Sequence, residues 1–75
     1  MNKARRAALN AVLNNLHEQK DYLENICEDE ENAKDNMPES LQGTDRYEMM
    51  EEAVDAMSDA IGALEDAIDS LEGVF

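Results

Sequence analysis

The amino-acid sequence predicts an all-α protein: an antiparallel hairpin of two long helices, expected to dimerise into a four-helix bundle or coiled coil. Three observations predict it. Apolar residues recur at helical spacing in both halves, turn-forming residues gather in one short stretch between them, and the chain is too short to stabilise a core easily by itself.

The second half carries the stronger pattern. Tyr47, Met50, Val54, Met57, Ile61, Leu64, Ile68, Leu71 and Phe75 follow alternating steps of three and four without a miss. Such spacing marks a heptad seam, with Tyr, Val, Ile and Phe at a positions and Met and Leu at d positions. Beside it runs a row of small residues, Ala53, Ala56, Ala60, Ala63 and Ala67, at the same spacing. The apolar face is therefore broader than a two-stranded seam needs, and alanine shoulders let a further helix approach closely.

The first half repeats the pattern less cleanly. Leu9, Val12, Leu16, Leu23, Ile26, Ala33 and Met37 fall on one stripe, with Leu13 and Cys27 beside it. Gln19 and Glu30 interrupt the stripe, either to fix register, as polar a positions do in coiled coils, or because they lie at the edge of the bundle.

Between the halves, Asp35 to Thr44 concentrates proline, glycine and cap-forming residues. This divides one helical-hairpin domain, residues 1–75, into helix one over about 3–35, a connection over about 36–44 and helix two over about 45–73. Either Thr44, or Asp45 with Glu48 three residues on, caps helix two. Pro38 opens a turn of its own, with Leu41 covering the bundle end. Gly62 interrupts helix two away from the seam, where glycine costs about 1 kcal/mol relative to alanine, and Gly73 marks fraying at the C-terminus. Antiparallel helices also bring Lys3, Arg5 and Arg6, disfavoured by the dipole at their own N-terminus, beside Glu65, Asp66, Asp69 and Glu72.

Size and charge then bound the function. At 75 residues a single core is marginal and usually needs a staple. Cys27 is the only cysteine, which excludes an internal disulfide and points to a reducing compartment, most simply the cytoplasm. No signal peptide or membrane-spanning run is apparent. Self-association remains as the staple: a second helix with so broad an apolar face is not covered by one partner. Nineteen acids against six bases give a net charge of −13. That balance repels phosphate backbones and anionic lipid, so direct nucleic-acid and membrane binding are not expected and a basic protein surface is.

Chemistry of other kinds is not indicated. No phosphate-binding glycine loop, CxxC or HExxH motif is present. His17, the one histidine, reads as a surface residue, and Cys27 as a small buried apolar residue beside Ile26. The acids Glu18, Asp21 and Glu24 and the run Glu28 to Glu31 lack the turn glycine of a calcium loop and the inward Glu-x-x-His of a di-iron bundle. The expectation is no enzyme, no cofactor and no dedicated metal site.

The acidic face of helix two holds the functional promise. Glu48, Glu51, Glu52, Asp55, Asp59, Glu65, Asp66, Asp69 and Glu72 share it, and no Lys, Arg or His occurs from Tyr47 to Phe75. That is one carboxylate per roughly 5 Å of helix axis, against one phosphate per roughly 1.7 Å of duplex DNA. Several such helices in one dimer reach a comparable order of density, so nucleic-acid mimicry is physically open beside the plainer role of solvation. The connection is a second candidate: Pro38, Glu39, Ser40, Leu41 and Gln42 read either as a folded recognition tip or as a packed cap with Met37 and Leu41 inward.

The stretch Asp35-Asn36-Met37-Pro38-Glu39-Ser40-Leu41-Gln42, continued by Asp45-Arg46-Tyr47-Glu48 and Met50-Glu51-Glu52-Ala53, resembles short acidic helical proteins encoded by bacteriophages and mobile elements of Gram-positive bacteria. The resemblance covers about the second half of the chain. It implies a phage-linked, cytoplasmic helical protein and transfers no catalytic residue. In size and charge alone, the chain is similar to DNA-mimicking anti-restriction and anti-CRISPR inhibitors. The expected function is a non-enzymatic accessory protein that occupies a basic surface of a host protein. The alternative is a structural or assembly role, in which the apolar seam binds another helical chain.

Overall fold

A computed structural model describes residues 1–75. Helix α1 spans Lys3–Asp35, a single 3-10 turn spans Glu39–Leu41, and helix α2 spans Asp45–Glu72. The two helices pack side by side as an antiparallel hairpin whose Cα atoms extend 59 Å by 14 Å by 13 Å. No strand is present.

Each boundary has a local cause. The Asn2 side chain accepts a hydrogen bond from the Arg5 N–H at 2.8 Å and caps α1. Lys34 lies in the last turn of α1, where a cation complements the dipole. Pro38 cannot continue a helix, and after it the chain makes the one 3-10 turn. Gly43 takes φ +88°, the only left-handed residue in the chain. Thr44, rather than Asp45, is the α2 cap: its Oγ1 accepts from the Tyr47 N–H at 3.3 Å and donates to the Leu41 carbonyl at 2.6 Å. Leu41 does not cover the hairpin end. It is 46% exposed, while Met37 is half-buried.

The α2 seam packs on α1. Val54 and Ile68 are buried, and Tyr47, Met50, Met57, Ile61, Leu64 and Leu71 are half-buried. On α1 the packed row differs from the expected stripe. It runs Leu9, Leu13, Leu16, Lys20, Leu23, Cys27, Glu30, Lys34 and Met37, each buried or half-buried. Leu13 and Cys27 hold the centre at 5% and 7% exposure, whereas Val12 and Ile26 are 50% and 57% exposed. Ala33 and Gln19 also face solvent. The row therefore takes Leu13, Lys20, Cys27 and Lys34 in place of Val12, Gln19, Ile26 and Ala33. Lysine tolerates such positions because its stem packs on apolar neighbours while its ammonium reaches the rim, and at Lys20 α2 supplies Glu65 there.

In heptad terms Leu13, Lys20, Cys27 and Lys34 are the a positions of α1, and Tyr47, Val54, Ile61 and Ile68 those of α2. One flank of the hairpin is then made by e positions of both helices. His17 Nε2 lies 3.0 Å from Glu72 Oε1, and Lys20 Nζ lies 3.5 Å from Glu65 Oε1 on this flank. The Cys27 thiol lies 3.8 Å from Ser58 Oγ and 3.9 Å from the Val54 carbonyl, closing the same edge.

These levels correct the expected pairing of the basic N-terminus. Glu72 meets His17, so Lys3, Arg5 and Arg6 lie beyond the last α2 acid, and none of them forms an ion pair. Phe75 reaches that end instead, bordering a shallow depression with Lys3, Arg6, Ala7 and Asn10.

Two outcomes follow for stability. Leu13→Ala is expected to cost about 2–4 kcal/mol in urea unfolding, clearly more than Val12→Ala; equal losses would restore the expected stripe. A Cβ at Gly62 meets open space, so Gly62→Ala should raise stability by about 1 kcal/mol.

Candidate functional site

All nine acids singled out on α2, Glu48, Glu51, Glu52, Asp55, Asp59, Glu65, Asp66, Asp69 and Glu72, are exposed. Only Glu65, beside the Lys20 ammonium, and Glu72, beside the His17 ring, meet a basic side chain of this chain. The remaining seven have no ion-pair partner, because every base lies in α1 or at Arg46. The side chains stand along the helix and do not converge; no three His, Cys, Asp or Glu residues are grouped as metal donors. Chemically this is an extended anionic surface, suited to several separate charge contacts along a partner.

Lys20 marks the border between that surface and the seam. Burial pulls its pKa down, but the attraction and hydrogen bonds of Glu24 and Glu65 outweigh it, and the ammonium lies above the ordinary lysine value of 10.5. Sequence periodicity missed this residue because a cation was not sought in an apolar row. The missed signal was Lys20 with Glu24 four residues on, a helix pair that holds the ammonium at 3.5 Å.

The loop residues Pro38, Glu39, Ser40, Leu41 and Gln42 are all exposed. The turn is ordered by its own bonds: Leu41 N–H to the Pro38 carbonyl at 2.8 Å, Gln42 N–H to the Glu39 carbonyl at 3.2 Å, and the Gln42 amide to the Met37 carbonyl at 3.5 Å. The tip is therefore a shaped, solvent-facing turn at the end of the hairpin away from the chain termini.

No protein-family model, curated protein or solved structure matches the chain. The site is therefore read from its own geometry.

The seam and the acidic face border one another at a second group as well. His17 and Glu72 are both 53% exposed, so solvent screens their attraction and the pair adds little to stability. Lys20, at 22% side-chain exposure, occupies space that an apolar residue would fill. Lys20→Leu is expected to raise the urea midpoint, since a filled apolar seam outweighs two screened ion pairs. The ion pairs of the wild type contribute below pH 10.5 and are lost as pH rises through the raised pKa, so the gap between the two proteins should widen in that alkaline range.

Proposed function

We propose that this chain is a non-enzymatic accessory protein of a phage or mobile element, acting in the bacterial cytoplasm as a homodimer whose acidic faces occupy a basic surface of a host protein. The observation that carries the reading is the set of seven exposed α2 carboxylates without a cation of their own. Solubility alone is served by mixed charges with less self-repulsion. A one-sign face spends folding stability on repulsion and recovers it when a cationic partner docks. Nucleic-acid mimicry or inhibition of a defence protein is one form of this function, since a groove built for phosphates accepts carboxylates at similar density. Direct nucleic-acid or membrane binding is not part of it. The loop tip adds shape to a contact that charge alone leaves unspecific.

The assembly role is favoured by a different observation, the exposure of Val12, Tyr22, Ile26 and Met49. It predicts partner binding that is insensitive to salt.

Affinity capture from host lysate, with mass spectrometry of the retained proteins, tests the reading. A basic host protein should be held at about 50 mM salt and released by about 500 mM, where exposed charge contacts are screened. Replacing Glu51, Asp55 and Asp69 by their amides should abolish the capture. Retention of the partner by that triple variant, or retention through the whole salt range, would refute the acidic-face reading.

A further inference from the structure

The e flank of the hairpin carries the polar contacts between helices, so the g flanks of α1 and α2 lie together on the opposite side. There the g and adjoining c positions form a two-helix face. On α1 it presents Val12, Tyr22 and Ile26, at 50%, 56% and 57% exposure. On α2 the alanine row is exposed from Ala56 to Ala67, with Met49 at 68% and Val74 at 52% exposure closing its ends. In a chain of net charge −13, the only charged residues on this face are Arg5, Asp29 and Arg46. It offers a cationic partner a single carboxylate, Asp29, flanked by two cations of its own.

We infer that this face is covered by a second copy of the chain, docked about a two-fold axis that lays α2 antiparallel on the partner's α2. The inference specifies the surface of the homodimer proposed above, and it does not depend on the acidic face having a ligand.

Three observations support this occupant. The first is area. A compact folded chain of 8.4 kDa exposes about 4,600 Å², and this one exposes 5492 Å². The excess of roughly 900 Å² is close to the roughly 800 Å² that each partner of a stable interface contributes. The face has the extent to cover it: 59 Å by 14 Å on Cα positions, on the order of 800 Å².

The second is self-complementarity, which a two-fold interface requires. Antiparallel α2 helices centred between Ala60 and Ala63 set Ala60 against the partner's Ala63, Ala56 against the partner's Ala67, and Met49 against the partner's Val74. Small residues meet along the middle, where backbones approach closely, and large ones meet at both ends. On α1 the corresponding centre lies between Tyr22 and Ile26. It sets Tyr22 against the partner's Ile26 and Gln19 against the partner's Asp29, an amide against a carboxylate.

The third is that these two centres lie level. Lys20 contacts Glu65 and Cys27 contacts Ser58, so the residues near 23–24 of α1 stand beside those near 61–62 of α2. One axis therefore satisfies both helices.

The arrangement has a charge signature. Asp59 and Asp66 border the alanine row, and the axis brings each near the other of the second copy. Screening this repulsion should tighten the dimer as salt rises, opposite to the salt response of a basic ligand on the acidic face.

Sedimentation equilibrium of the full chain at about 50 and about 500 mM salt tests this directly. Twice the 8.4 kDa chain mass, with tighter association at the higher salt, is expected. Ala63→Glu should weaken the dimer by at least about 100-fold through a buried unpaired charge. Because that variant risks unfolding, a second test leaves the face intact: M49C and V74C chains are mixed and oxidised. A disulfide between the two different variants is expected. A folded monomer at about 100 μM, unchanged association of Ala63→Glu, or a dominant cross-link between two M49C chains would each overturn the inference.

Discussion

The whole molecule hangs on one seam between two helices. Every buried side chain, Leu13, Cys27, Val54 and Ile68, belongs to it, and there is no third layer behind either helix. A seam of this kind buries one narrow stripe per helix, so each helix leaves most of its circumference in water. The radius of gyration, 17.3 Å, exceeds the roughly 11 Å of a compact domain of this length. Elongation follows from the helix lengths, and a thin core follows from elongation.

That constraint explains how charge is distributed. With one stripe inside, the remaining circumference must either carry charge or find another apolar partner. On α2 the acids take the e, b and f positions, and alanines take g and c. Lys20 and Lys34 sit in the packed row of α1, at the rim where their stems pack and their ammonium groups reach outward. The acidic flank and the apolar flank are thus two sides of the same two-helix body. Each is free to meet a different partner.

Much of the hairpin was legible in the sequence, and for identifiable reasons. The α2 pattern is unbroken, with an aliphatic, methionine or aromatic side chain at every seam position, so one face had no competitor. The α1 pattern contained two overlapping stripes. Val12, Ile26 and Ala33 extend one, and Leu13 and Cys27 extend the other, a rotation of one residue apart. Counting apolar residues favoured the first; the fold uses the second, because acids on α2 make Lys20 acceptable in the row. The pairing of the basic N-terminus was misplaced for a related reason. Helix register depends on how the turn from Asn36 to Thr44 is spent, and that turn sets Glu72 beside His17, leaving Lys3 to Arg6 past the acids. The acidic face was legible as a pattern of residue types. Which acids retain no cation was not, since that depends on the register.

The exposed residues of the first stripe acquire a purpose in this frame. In the proposed homodimer the two stripes of α1 serve two faces, one packed within the hairpin and one against the second copy. If the open face completes the core, folding and association are a single equilibrium, and stability depends on protein concentration. Thermal unfolding followed by circular dichroism from about 1 to about 100 μM chain tests this most directly. A melting temperature that climbs steadily with concentration is the predicted result; one that stays constant across the range, with full helicity at the lowest concentration, would contradict it.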